Sequence, residues 1–115
     1  MQIEVNRGLP APLLVKYFRR DGIDWQLKDE VRKMVRFQAF DLRKKMSGLG
    51  MFDIVMCRNV LIYFDVPTKK QILAEIRTVM QRGGYLILGG AETTVNLDDS
   101  FQRTPIGQAV LYRLV

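Results

Sequence analysis

Three short stretches carry residues whose types and spacing can do chemistry. They are Asp41-Leu42, the run Arg58-Asn59-Val60-Leu61-Ile62-Tyr63-Phe64-Asp65, and Gly89-Gly90-Ala91-Glu92. What they can do is bounded by what the chain lacks. It has no histidine, which excludes Ser-His-Asp and Cys-His catalysis, histidine-based metal sites and a histidine pH switch. Its single cysteine, Cys57, cannot form an internal disulfide and, without histidine, cannot build a structural zinc site inside the chain. Chemistry here must use carboxylates, Tyr, Arg, Lys or backbone groups, and no metal is expected. Asn59 brings an amide that both donates and accepts, whereas ionised Asp41 and Glu92 only accept. No stretch is a phosphate-cradling glycine loop, because Gly83-Gly84 stands at the end of an expected helix rather than between a strand and a helix start.

The elements that must position these residues follow from apolar spacing. Leu9, Leu13, Leu14, Tyr17 and Phe18 predict an amphipathic helix over 11–20, with Gly22 beyond its end. Residues 23–37 read two ways: Leu27, Val31, Met34 and Val35 fit a helix face, while Ile23, Trp25 and Leu27 alternate as in a strand. Val35, Phe37 and Ala39 alternate into a strand that stops near Leu42, and 43–50 reads as a polar loop. The uncharged run 54–57 predicts a strand over 52–60 covered on both faces, as in a parallel sheet. Thr68 and Gln71 have capping-box spacing ahead of the stripe Ile72, Leu73, Ile76, Val79 and Met80, so the clearest helix starts near Asp65 and ends at Gly83-Gly84. Residues 85–88 form a second buried strand, 91–104 a polar loop, and 109–115 a last strand. Strand, helix and strand in that order make a βαβ crossover, hence an α/β fold with a parallel sheet. Ligands of such sheets bind beyond the carboxyl ends of the strands, and all three stretches stand there.

At 115 residues and 48% hydrophobic the chain is one small globular domain rather than a disordered tail. Its apolar runs are far shorter than the ~18–20 residues of a membrane span, and 1–4 do not open a signal peptide. The lone cysteine suits a reducing compartment, so the expected location is cytoplasmic. With 18 Lys+Arg against 12 Asp+Glu the net charge is +6, which favours an anionic partner. That charge is scattered, aromatics make only 10%, and no nucleic-acid motif is present, so nucleic acid is not the expected partner. Four strands are few for an α/β domain, giving the look of half a fold.

The segment Cys57-Arg58-Asn59-Val60-Leu61-Ile62-Tyr63-Phe64, with Phe52-Asp53 before it and Gly83-Gly84-Tyr85-Leu86 after it, resembles the CheR-type methyltransferases. These transfer the methyl group of S-adenosyl-L-methionine to glutamate side chains of chemotaxis receptors. The resemblance extends to residues 4–10 and 13–18, similar to the family's helix before its small inserted β-subdomain. It continues through 25–27 and 35–37, similar to that subdomain, and 101–112, similar to the closing segment. The fold it implies is the C-terminal half of a Rossmann-like methyltransferase fold, with residues 17–37 as the inserted subdomain and 38–115 as the second half of the sheet. The resemblance implies cofactor contacts from Arg58 and Asn59, and from Asp41-Leu42 where the family commonly has Asn-Leu. It makes Tyr63 the residue that faces methyl transfer and orients the substrate carboxylate.

Such a site needs little more than alignment. The sulfonium methyl is already electrophilic and a glutamate carboxylate already nucleophilic, so the enzyme chiefly holds them in line and excludes water. A neutral phenol serves by hydrogen-bonding the attacking carboxylate. The resemblance starts near the middle of the family's methyltransferase domain. Upstream of the matched part lie the family's N-terminal helices, the glycine loop, the acidic ribose-binding residue and a basic residue near the methyl. The chain alone is therefore expected to methylate nothing; a homodimer or a complementing N-terminal half is the expected assembly partner, and receptor cytoplasmic helices the substrate. The insertion lacks the glycine-rich spacing of members that tether a receptor peptide. The alternative function is a non-catalytic interaction module built on an exposed sheet edge. At individual positions, Asp41 serves equally as a turn residue, Arg58 and Asn59 as loop-satisfying groups, Cys57 as a small core hydrophobe, and Glu92 as a loop anchor or part of the site.

Overall fold

The computed structural model describes residues 9–115; the part of the resemblance that falls on 4–8 lies outside the described residues. The chain divides into two compact units, split between Ala39 and Phe40.

In the first unit, helix α1 (Ala11–Tyr17) starts after Pro10, with a proline in its first turn where the missing N–H is not needed. The helix is shorter than the expected 11–20, because Phe18 is already extended and opens strand β1 (Phe18–Asp21). Strand β1 pairs antiparallel with β2 (Asp24–Leu27), Phe18 opposite Leu27 and Arg20 opposite Trp25. Gly22 takes φ 60° in the turn, a conformation glycine adopts without steric cost. The two readings of 23–37 divide in order: strand as far as Leu27, then a single helical turn, α2 (Asp29–Arg32). The expected strand ending near Leu42 is not formed. Residues 35–41 are irregular, and Phe37 is 81% exposed. A strand needs a neighbour to pair its N–H and C=O groups, and this segment enters neither of the described sheets.

The second unit is a four-stranded mixed sheet with one helix. Strand β3 (Phe52–Cys57), helix α3 (Val66–Thr78) and strand β4 (Met80–Leu88) form the crossover, β3 and β4 running parallel with Val55 opposite Leu86 and Cys57 opposite Leu88. Strands β5 (Phe101–Ile106) and β6 (Ala109–Leu114) form a hairpin turning at Gly107, and the order across the sheet is β3-β4-β6-β5. Strand β5 begins inside the stretch 91–104 expected to be loop and runs two residues past it. Pro105, which cannot donate to a ladder, is tolerated there because β5 is an edge strand.

Helix α3 is capped by Asp65, whose Oδ1 accepts from the Thr68 N–H at 3.0 Å; the capping residue is thus Asp65 and not Thr68. The helix ends at Thr78, and Gly83-Gly84 lies within β4 instead of closing the helix. Gly83 takes φ 84°, and a Cβ on Gly84 would stand 2.6 Å from the Asp53 carbonyl oxygen. The pair therefore makes the irregularity that lets β4 pass close to β3, where pairing shifts between Phe52 and Ile54.

One face of this sheet carries the core. Ile72, Leu73, Ile76 and Val79 of the helix region pack with Cys57, Leu86, Leu88, Tyr112 and Leu114. Each such aliphatic side chain contributes roughly 1.5–3 kcal/mol by leaving water. The opposite face is open: Ile54 is 58% and Met56 67% exposed. The expectation of a strand covered on both faces fails for that reason, since the described part of this unit provides one helical layer.

Candidate functional site

Strands β3 and β4 run parallel, so their carboxyl ends open on the same side of the sheet. The chain leaves β3 at Cys57 and turns at Arg58-Asn59 into a short 3₁₀ turn over Leu61–Tyr63, then enters α3 at its Asp65 cap. Leu61 is buried and anchors this connection, while Tyr63 stands 80% exposed. Asn59 has φ 59°, a left-handed conformation that asparagine tolerates better than most residues.

Glu92 holds this turn. It follows the carboxyl end of β4, and its side chain is buried against the turn. Oε1 accepts the N–H of Asn59 at 2.6 Å and of Gly89 at 2.8 Å. Oε2 accepts those of Val60 at 3.1 Å and Leu61 at 2.7 Å. Burial pushes the Glu92 carboxyl up, but these four backbone donors outweigh that and hold it below the usual glutamate value. The Glu92 amide donates to the Gly89 carbonyl at 3.0 Å, closing the turn on itself. Of the two roles open to Glu92 from sequence, the geometry shows the loop anchor. Its signal was local only in part, since a carboxylate after Gly89-Gly90 does not reveal donors some thirty residues earlier.

Asp41 and Leu42 engage partners other than this turn. Asp41 accepts the Arg43 N–H at 3.0 Å and pairs with the Arg43 guanidinium at 2.9 Å. The side-chain and backbone hydrogen bonds from Arg43 lower the Asp41 carboxyl to about 2. Its carboxylate is therefore already engaged as a turn acceptor. Helix α3 fixes the following loop through two side chains: Gln71, expected instead to complete a capping box, donates to the Arg43 carbonyl at 3.2 Å, and Glu75, which the sequence reading did not single out, accepts the Met46 N–H at 2.8 Å. Leu42 lines an apolar hollow of about 170 Å³ with Phe40, Met46, Val55 and Cys57. Cys57 is buried there, and burial, helped by the Glu92 charge, pushes its thiol up to about 11. It is a packing residue.

Arg58 lines a separate cleft of about 600 Å³ with Glu92, Thr93, Arg103 and Gln108. Arg103 and Gln108 come from the β5–β6 hairpin, of which sequence periodicity predicts β6 but not β5. The structure thus brings Arg58, Asn59 and Glu92 together at the carboxyl ends of β3 and β4, and places Tyr63 at the far end of the same turn. It does not bring Leu42 into the Arg58 cleft. Among the described residues no cluster of His, Cys, Asp and Glu fit to hold a metal occurs, and no helix is long and apolar enough to cross a membrane.

Comparison with known proteins gives this arrangement a context. A profile of the CheR methyltransferase SAM-binding domain matches residues 2–110. The chain is 39% identical over 112 residues to chemotaxis protein methyltransferase Cher2 of Pseudomonas putida, covering 96% of this chain and 41% of that protein. It is equally similar to chemotaxis protein methyltransferase 1 of Pseudomonas aeruginosa, at 39% over 112 residues with the same coverage. The chemotaxis protein methyltransferase of Vibrio anguillarum is 36% identical over 114 residues, covering 97% of this chain and 41% of its own length. The chain spans about two fifths of the length of these relatives.

Proposed function

The chain belongs to the CheR methyltransferase family, with S-adenosylmethionine as the family's cofactor, and on that premise we propose that it supplies one wall of a site that methylates glutamate side chains of chemotaxis receptors. The observation that carries this reading is the clamped turn at the carboxyl end of β3. Three consecutive backbone amides, from Asn59 to Leu61, are fixed by one carboxylate, so Arg58, Asn59 and Tyr63 project from a preset loop.

The residues present fit part of the cofactor. Asn59 offers an amide that can donate to and accept from a polar group, and the hollow beside Leu42 is apolar enough for a flat ring. Asp41 fits as an acceptor only in competition with Arg43, which already holds both of its oxygens. The bound cofactor supplies an electrophilic methyl group. The chain's own part is orientation: Arg58 and Asn59 bind and fix the cofactor, and the exposed Tyr63 hydroxyl hydrogen-bonds the attacking glutamate carboxylate and sets its line of approach. No strong base is required, because a glutamate is ionised at neutral pH. That economy suits a chain without histidine. The cleft beside Arg58 also holds Arg103, and two guanidinium groups favour acidic receptor helices on the cytoplasmic side of the membrane.

These 115 residues alone are proposed to bind the cofactor through this wall but to transfer no methyl group, catalysis requiring a complementing upstream half. The test is label transfer from methyl-labelled S-adenosylmethionine to a chemoreceptor cytoplasmic fragment. The expected result is none with this chain by itself, and base-labile label once it is combined with the upstream half of one of the relatives. Base-stable label, or no label in the combination, would refute the proposal. A second reading rests on the exposed Ile54 and Met56 of β3 at the sheet's edge: a non-catalytic module in which β3 of two copies pairs. It requires a dimer that Ile54→Lys dissociates; a monomer at high concentration in sedimentation removes it.

A further inference from the structure

Glu92 does more than satisfy a loop. Its two oxygens meet four N–H groups from two separate places in the chain, Asn59 to Leu61 after β3 and Gly89 at the end of β4. A carboxylate that accepts this many donors makes charge-assisted bonds, stronger than neutral ones and directional. The segment it holds is short, and every group proposed to meet the cofactor or substrate from this side, namely Arg58, Asn59 and Tyr63, lies within it or beside it. Asn59 is also kept at φ 59°, a backbone conformation that costs energy when unsupported. The clamp is tight from below as well. A methyl group on Gly89 would collide with Asn59 Oδ1 and stand 2.8 Å from Glu92 Oε1. Gly89 lacks a side chain at the one place where the Asn59 amide and the Glu92 carboxylate crowd together.

We propose that Glu92 is the positioning residue of the methyltransferase site, setting Asn59 and its neighbours in the orientation that binds the cofactor, with Gly89 as the small residue that leaves room for it. This rests on the cofactor-binding reading above and extends it to a residue whose side chain acts through the backbone. The chemistry of the clamp makes a sharp variant. In Glu92→Gln the shape is kept, but one oxygen becomes an NH₂ that faces two N–H donors, so half the clamp turns from attractive to repulsive. Gly89→Ala leaves the carboxylate charged and intact and displaces it sterically. The atoms it meets are the ends of two side chains rather than backbone, so this variant keeps the fold while shifting the clamp.

The experiment is calorimetric titration of the native protein and both variants with S-adenosylhomocysteine, alongside circular dichroism melts and amide NMR shifts of Asn59, Val60, Leu61 and Gly89. The expected result is a dissociation constant raised on the order of tenfold or more in each folded variant, with amide shifts confined to those residues and the melting temperature of Gly89→Ala close to native. A purely structural role would lower the melting temperature and leave the affinity of the folded protein alone. Affinity within about twofold of native in a folded variant whose amides have shifted overturns the inference and leaves the cofactor reading standing. If the native protein itself does not bind, both fail together. If Glu92→Gln does not fold, Gly89→Ala decides alone; if neither folds, the clamp belongs to the fold and the inference is wrong.

Discussion

Replacing Leu73 and Met56 by alanine, one at a time, tests the one-sided packing that places the site. Leu73 lies on α3 with 0% exposure, within the cluster that joins Ile72, Ile76 and Leu86. Leu→Ala at such a position removes the transfer free energy of the lost atoms and leaves a cavity, about 3–5 kcal/mol in total. For a unit of this size each kcal/mol moves the melting temperature by about 4–8 °C, so a cost near 3 kcal/mol lowers it by roughly 12–24 °C. Met56 sits in β3 on the opposite face and is 67% exposed. Only a third of its surface is withdrawn from water, which limits the cost of Met56→Ala to about 1 kcal/mol. Urea and thermal unfolding followed by circular dichroism measure both. Equal costs, or a Leu73→Ala penalty below about 1 kcal/mol, would refute the assignment of core and open face.

The remaining predictions concern titration and reactivity. Asp41 titrates at about 2 in carboxyl NMR, and Arg43→Met raises it toward the ordinary carboxylate range without fully restoring it, because the backbone N–H at position 43 still donates; an unchanged value contradicts the bidentate pair. Hydrogen bonding from the Thr68 side chain and backbone N–H lowers the Asp65 carboxyl, so the cap's contribution is present above the unfolded value and is lost as pH falls through the lower folded value. Asp65→Asn should therefore flatten the acid limb of stability against pH in urea unfolding, and an unaltered limb would count against the cap. Cys57, with its thiol near 11, should react with a thiol reagent at pH 8 on the order of a hundredfold more slowly than a free cysteine of pKa about 8.5. A rate equal to that of free cysteine would mean the strand end is open.

How far the fold could be read in advance varied with how local its cause is. The apolar run of β3 and the stripe of α3 announce themselves, because burial on one strand and one helix face needs no knowledge of partners. The helix's end was misplaced by Gly83-Gly84, since a glycine pair signals a C-cap and a tight strand approach alike; only the Asp53 carbonyl beside Gly84 distinguishes them. Strand β5 was read as loop because Gln102, Arg103, Thr104 and Pro105 carry no apolar alternation, and its pairing with β6 is what makes it extended. The opposite error fell on 35–41, whose alternation is suitable for a strand that finds no neighbour among the described residues. At the candidate site, Arg58, Asn59 and Tyr63 were singled out by a recognisable run. Glu92 was legible as a loop anchor but not the turn it anchors, and the roles of Glu75 and Gln71 were not legible, because each acts on backbone distant in sequence.

The central claim is that the turn from Arg58 to Tyr63 is a wall of a cofactor site, and calorimetric titration of this chain with S-adenosylhomocysteine tests it most directly. The account predicts saturable one-to-one binding that Asn59→Ala abolishes while the melting temperature stays near native. No heat at high ligand concentration, or binding untouched by Asn59→Ala, would contradict it.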